Sequence, residues 1–300
     1  MKLKGKHALI TGGSRGIGRA IALAYAREGA NVVIADVLTD QAEEVANDIR
    51  AIGREAISVQ CDVSEEEQVQ RALEKAVSAF GRVDILVNNA GVTSGGVRVI
   101  RICLLGVYYG CKHGSRLMVD QGGGAIINTG SNSCFYPMCS DAFFELLDLM
   151  KAEADVLPET LIEQTAAHPR PYYVAKRGVM ELTRFFGVRY AGRGVRVNSV
   201  IPGMTMTELT RAVWENEERR KYMESQCPMG RLGLPEDLTP AYVYLASDDS
   251  SYMTAHSMVV DGGGAAMGKP GGPYAPRWWA PLGMENAGWA TLQSPITAPL

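Results

Sequence analysis

Residues 7–18, His7-Ala8-Leu9-Ile10-Thr11-Gly12-Gly13-Ser14-Arg15-Gly16-Ile17-Gly18, decide the architecture. A short apolar run reads as a buried strand, a glycine-rich turn follows, and Gly18 to Glu28 carry an amphipathic helical pattern ending at Gly29. A strand that passes through glycines into a helix is the opening of a parallel strand–helix–strand unit. Glycines 12, 16 and 18 let the backbone turn tightly and approach an anion, whose charge would rest on the helix N-terminus.

The same pattern repeats outward from there. Asn31–Asp36 is a second strand and Thr39–Ile52 a second helix closed by Gly53. Ala56–Gln60, a helix from Glu65 to Phe80 stopped by Gly81, and a strand at Ile85–Val87 continue it. Ala125–Asn128, Val195–Val200 and Met258–Asp261 read as strands five to seven. Apolar strands alternating with amphipathic helices predict an α/β fold: one Rossmann-type, doubly wound, parallel seven-stranded sheet with helices on both faces. Two segments break the rhythm. Residues 135–170 hold a helical insertion after strand five, with Ser140 as a helix cap ahead of Phe143, Phe144, Leu146, Leu147, Leu149 and Met150, and Pro158 where a second helix could begin. Residues 268–300 carry six of the 14 prolines and three of the four tryptophans and read as an irregular C-terminal arm. The division expected is a catalytic domain over 1–267 with an extension over 268–300.

Composition narrows the functional classes. With 300 residues, 46% apolar and 21% charged, the chain can bury a core without disulfide or metal staples. A formal charge of −3 gives no field for nucleic acid or an anionic membrane. Six cysteines lie scattered without a CxxC and four histidines lie far apart, so no metal site is expected. The apolar run near the start is too short for a signal segment, and no stretch reaches the roughly 18 apolar residues of a membrane span. A cytoplasmic protein with reduced thiols is the expectation.

The loop spacing is GxxxGxG, not the GxGxxG dinucleotide fingerprint. Its place between strand and helix still makes Gly12, Ser14, Arg15, Gly16, Ile17 and Gly18 a candidate phosphate cradle. Asp36 ends strand two, where a carboxylate can accept both ribose hydroxyls and repel a 2′-phosphate. NAD is therefore favoured over NADP, although Arg15 could attract the extra phosphate. With these motifs the chain resembles the short-chain dehydrogenase/reductase family over about residues 1–265. Cys61-Asp62-Val63 follows strand three, Asn88-Asn89-Ala90-Gly91 strand four and Pro202-Gly203 strand six, and Asp261-Gly262-Gly263 ends the match. The resemblance implies that Asp62 and Val63 meet the adenine, that Asn89, Ala90, Gly91, Pro202 and Gly203 border the cofactor, and that Thr207 helps hold the nicotinamide carboxamide.

Tyr172 and Lys176 stand four apart at the start of a helical pattern, so both lie on one face and an ammonium can sit near the phenol. That charge, joined by the cation of an oxidised nicotinamide, is expected to lower the phenol from about 10 toward neutrality. The phenolate then takes a hydroxyl proton as hydride leaves the same carbon. Tyr173 lies near that face too, but the family spacing selects Tyr172. The resemblance makes Ser131, in Asn128-Thr129-Gly130-Ser131, the partner that stabilises a developing alkoxide, with Ser133 as the alternative.

Three departures from the family stand out. Cys103 occupies the place of an asparagine that holds a water in a proton relay to the lysine; a thiol is a weak partner, so either the relay is rerouted or Cys103 is an ordinary buried residue. Gly91 and Cys103 stand only 12 positions apart, a shortened connection. Ser131 and Tyr172 are 41 positions apart (172 − 131), where the family has about a dozen. The last two resemble the layout of a 3α-hydroxysteroid dehydrogenase/carbonyl reductase subgroup, whose insertion covers a helix face that relatives use for dimer contacts.

The substrate expected is an apolar secondary alcohol or ketone, cyclic or steroid-like, under a lid of Met204, Met206, Leu209, Val213, Trp214, Tyr222 and Met223 with Phe135, Tyr136, Met138, Phe143 and Phe144. The resemblance implies a homodimer or homotetramer, with Trp278, Trp279 and Trp289 of the arm reaching a neighbouring subunit. A catalytically weak dinucleotide-binding redox sensor or scaffold is the alternative function. An enoyl-type reductase, whose tyrosine and lysine stand farther apart, is disfavoured.

Overall fold

The computed structural model describes residues 1–135 and 139–266. Strands β1 (His7–Thr11), β2 (Asn31–Asp36), β3 (Ala56–Gln60), β4 (Ile85–Asn88), β5 (Gly124–Thr129), β6 (Val195–Pro202) and β7 (Ser257–Val260) form one parallel sheet. Their order is β3-β2-β1-β4-β5-β6-β7. The helices are α1 (Gly16–Arg27), α2 (Thr39–Ala51), α3 (Glu66–Phe80), α4 (Val97–Ile100), α5 (Gly106–Asp120), α6 (Asp141–Lys151), α7 (Glu159–Ala166), α8 (Pro171–Ala191), α9 (Arg211–Trp214), α10 (Glu217–Ser225) and α11 (Pro235–Ala246). This is the expected Rossmann-type, doubly wound α/β sheet.

The strands are apolar throughout because both their faces are covered. Leu9, Val33, Leu86 and Ile126 enter the core beneath α3, α5 and α8, while Ile10, Ile34, Val87 and Ile127 enter the one beneath α1, α2 and α11. Gly81 ends α3 in the left-handed conformation (φ 80°), which a side chain would resist. At the buried ends of β4 and β5, Asn88 Nδ2 donates to Asn128 Oδ1 (2.9 Å) and Asn128 Nδ2 to Thr183 Oγ1 of α8 (3.0 Å). These bonds fix the two strand ends against the helix that begins at Tyr172's turn.

Residues 101–105 form a π-helical segment joining α4 to α5, with Cys103 fully buried at its centre. Such segments concentrate at functional sites. The insertion is helical, as expected: Ser140 Oγ accepts the N–H of Phe143 (3.3 Å), and Pro158 precedes α7. Phe143, Leu146, Leu147 and Met150 share the buried face of α6. A Cβ on Gly178 would stand 2.4 Å from Leu104 and 3.3 Å from Phe143, so α6 and the π segment press on α8 just past Lys176. Glu153, its side chain nearly covered and its backbone at φ 52°, accepts from Arg189 Nε (3.1 Å) and the Tyr190 hydroxyl (3.1 Å) of α8 and pairs with Arg116 of α5. The Arg101–Glu159 ion pair ties α7 to the π segment.

Among the described residues, no helix is long and apolar enough to cross a membrane, and no group of His, Cys, Asp and Glu is arranged to hold a metal ion. Tyr136, Met138 and the arm with Trp278, Trp279 and Trp289 lie outside the described residues.

Candidate active site

Strand β1 pairs with β2 on one side and β4 on the other, so the chain leaves the sheet in opposite directions between β1 and β4 and opens a crevice at their carboxyl ends. A cleft of about 840 Å³ lies there. Every candidate catalytic and cofactor-binding residue lines it except Ser14 and Gly18, which are buried; the alternative serine, Ser133, does not line it either.

The glycine loop is locked to the turn after β4. Thr11 Oγ1 accepts the N–H groups of Asn89 (3.0 Å) and Ala90 (3.2 Å), and Asn89 Nδ2 donates to the carbonyls of Thr11 (3.1 Å) and Gly12 (3.0 Å). A Cβ on Gly18 would fall 2.0 Å from the Gly12 oxygen, and one on Gly12 would fall 2.7 Å from Ala90 Cα. Only glycine permits this approach. Helix α1 meanwhile starts with no side-chain cap, leaving its first N–H groups open toward the cleft.

At the end of β2 the buried Asp36 carboxylate is held by three donors: the Ser14 N–H (3.0 Å) and hydroxyl (2.6 Å) on one oxygen, and the Leu38 N–H (3.1 Å) on the other. Ser14 thus acts by fixing Asp36. Arg15, exposed, lines the same end with Asp62 and Val63. Asp62 is set by its own turn, accepting the N–H (2.9 Å) and hydroxyl (2.7 Å) of Ser64.

Ser131, Tyr172 and Lys176 meet at the other end. The Ser131 hydroxyl stands near enough to the Tyr172 phenol to pull its pKa down, and both line the cleft. Lys176 is buried, sits 5.6 Å from the Tyr172 ring centre and donates to the Thr129 carbonyl (2.7 Å). Ser133 does not line the cleft: its hydroxyl is buried with no hydrogen-bond partner among the described residues, while its N–H donates to Ser131 Oγ (3.3 Å). The phenol differs from the expectation of a lowered pKa. Burial raises it above its ordinary value, and the Cys103 thiol adds to this, while Lys176 and the nearby Ser131 hydroxyl pull it down without prevailing. Lowering toward neutrality therefore needs a further positive charge in the cleft.

Cys103 points into this neighbourhood. Its sulfur accepts the Val92 N–H (3.3 Å) and its S–H donates to the Val92 carbonyl (3.2 Å), latching the loop after Gly91 to the π segment. The lid departs from the sequence reading. Met204 and Leu209 line the cleft, but Met206, Val213, Trp214, Tyr222 and Met223 do not. Phe143 is buried in the core by the i, i+3, i+4, i+7 face of α6, Phe144 is exposed beside it, and Phe135 packs on a separate cluster with Cys134, Met180 and Ile201. Among the described residues, the insertion packs on α8 and does not line the cleft. Sequence reasoning also missed the Thr129 carbonyl, the Val92 latch and Glu208, none of which has a signal in residue spacing.

The residues fit a nicotinamide dinucleotide: a cradle that a Cβ would fill, an uncapped helix start, a fixed carboxylate at the ribose end and a tyrosine–lysine pair at the other. The short chain dehydrogenase family model matches residues 6–143, and the enoyl-(acyl carrier protein) reductase model matches residues 134–264. An L-rhamnose 1-dehydrogenase (NAD(P)(+)) of Sphingomonas is 34% identical over 273 residues, 87% of this chain and 96% of that protein. A mitochondrial borneol dehydrogenase of Lavandula x intermedia is 34% identical over 278 residues, 89% and 93% of the two chains. The crystal structure of a short-chain type dehydrogenase/reductase from Mycobacterium marinum superposes with a TM-score of 0.73 at 35% identity, covering 88% of this chain and 96% of that one. The chain belongs to the short-chain dehydrogenase/reductase family and is an oxidoreductase of alcohols or ketones that works with a nicotinamide cofactor.

Proposed function

We propose an NAD-preferring dehydrogenase/reductase that interconverts an apolar secondary alcohol and its ketone, with Ser131, Tyr172 and Lys176 as its catalytic residues. The Ser131–Tyr172–Lys176 cluster carries this reading. When bound, the nicotinamide gives or takes the hydride. Ser131 Oγ and Tyr172 Oη hold the substrate oxygen, and Oη takes the proton in oxidation or returns it in reduction. Lys176, anchored on Thr129, keeps a positive charge beside that proton site.

The cofactor is held by Gly12, Gly16, Ile17 and Gly18 at the phosphates, with Asn89, Ala90, Gly91, Pro202, Gly203 and Thr207 along the cleft. Asp36, positioned by Ser14, sets the preference for NAD by opposing a 2′-phosphate, which Arg15 would attract. Val92, Met204 and Leu209 support an apolar substrate. The relatives' names span a polar sugar and borneol, a bicyclic alcohol, so the lining supplies the argument here. A redox sensor is disfavoured by the burial of Cys103 within its Val92 latch. The catalytic domain is taken as residues 1–267 with 268–300 as an appended arm, in a homodimer or homotetramer in the cytoplasm.

The test is oxidation of a panel of secondary alcohols with NAD and with NADP, comparing wild type with Tyr172→Phe. Turnover with NAD is expected, falling by at least about 100-fold in the variant. Undiminished turnover in Tyr172→Phe would overturn the catalytic assignment, and equal use of NADP would overturn the role given to Asp36.

A further inference from the structure

Helix α1 has neither a side-chain cap nor an acidic residue in its first turn. Its open N–H groups and the positive end of its dipole favour an anion there. The chain brings one from a distant segment. A Cβ built on Gly16 would lie 3.5 Å from Glu208 Oε2 and 3.3 Å from Thr207 Cγ2, and both residues line the cleft with Gly16.

The turn that carries Glu208 is tightly fastened. Thr210 Oγ1 donates to the Thr205 carbonyl (2.6 Å) and accepts the Thr207 N–H (3.0 Å), and Trp214 Nε1 donates to the Thr207 carbonyl (2.8 Å). The Glu208 side chain itself makes no hydrogen bond or ion pair to another described residue. A fixed turn thus holds an exposed carboxylate, without a hydrogen-bond or ion-pair partner among the described residues, at the mouth of the phosphate cradle.

We infer that Glu208 tunes cofactor affinity: its carboxylate stands beside the start of α1 and opposes by charge the pyrophosphate that binds there. The inference rests on the reading that α1 receives the cofactor's phosphates. The ligand class concerned is a nucleoside diphosphate, because the carboxylate acts on the phosphates, whereas adenosine meets Asp36 and Asp62 farther along the cleft. Weaker holding favours faster release, and product release limits turnover in many enzymes.

The test is equilibrium binding by the full chain, with NADH followed by fluorescence and ADP and adenosine by competition against it. Glu208→Gln keeps the shape and removes the charge. ADP and NADH are expected to bind about fivefold more tightly to it, the gap narrowing as salt is added, while adenosine binds both proteins alike. Glu208→Asp, one methylene shorter, should fall between the two. Unchanged or weaker ADP binding in Glu208→Gln would overturn the inference, as would an equal gain for adenosine. If neither protein binds NADH, the assignment of the cradle itself falls, and this inference with it.

Discussion

Replacing Gly18 by alanine tests whether the cradle depends on close backbone approach. The new Cβ would sit 2.0 Å from the Gly12 oxygen and 2.6 Å from Asn89 Nδ2, against about 3.5 Å for an ordinary non-bonded contact. The loop and helix must therefore separate by roughly 1.5 Å, at an overpacking cost of about 1–3 kcal/mol. That movement stretches the Asn89 bonds to Thr11 and Gly12, worth about 1 kcal/mol each. The expected destabilisation is about 3–5 kcal/mol, a fall of roughly 10 °C in melting temperature. NADH affinity, titrated by fluorescence, should fall by about 100-fold, because the N–H groups of the cradle no longer converge. Gly192→Ala is the control: Gly192 is right-handed (φ −67°) with nothing within 4 Å of a Cβ, so it should be neutral or stabilising by about 0.5 kcal/mol. A Gly18→Ala protein that binds NADH and melts like wild type would refute the reasoning.

Lys176→Met removes a charge that lowers a phenol which burial has raised. Alcohol oxidation needs the phenolate, which forms as pH rises, so the midpoint of its pH–rate profile should move upward by at least about 1 pH unit; an unmoved or lower midpoint would count against the pairing. Glu153→Ala deletes the acceptor shared by Arg116, Arg189 and Tyr190 and should cost about 2 kcal/mol in denaturant unfolding, the half-exposed arginines regaining water. Because Glu153 sits at φ 52°, Glu153→Gly should be about 1 kcal/mol more stable than Glu153→Ala, the reverse of the usual order.

The sheet could be read from the chain because its strands are short apolar runs between glycine stops, and the seven expected strands match the observed ones within a residue or two. The pairing of Tyr172 with Lys176 could be read from a helical i, i+4 spacing, whereas the choice of Tyr172 over Tyr173 and of Ser131 over Ser133 came from the family resemblance alone. What escaped depends on contacts between distant segments. The Asp36–Ser14 bond, the Cys103–Val92 latch and the approach of Glu208 to Gly16 join residues 22, 11 and 192 positions apart (36 − 14, 103 − 92 and 208 − 16), and no local pattern encodes them. The aromatic residues of the insertion misled for a related reason. Apolar side chains at helical spacing show that a face is buried, not what buries it.

The insertion also bears on how such a protein can change through time. Ser131 and Tyr172 line one cleft although 41 positions separate them, about three times the spacing that the family resemblance leads one to expect. Threefold lengthening of a loop costs only about 1 kcal/mol in closure entropy. Burying Phe143, Leu146, Leu147 and Met150, at about 2 kcal/mol each, exceeds that several times over. A segment that carries its own anchoring is free to vary on its outer side while the residues that do the chemistry stay under unaltered constraint. New surfaces, and with them new associations, can therefore arise at this point of the fold without passing through an inactive ancestor.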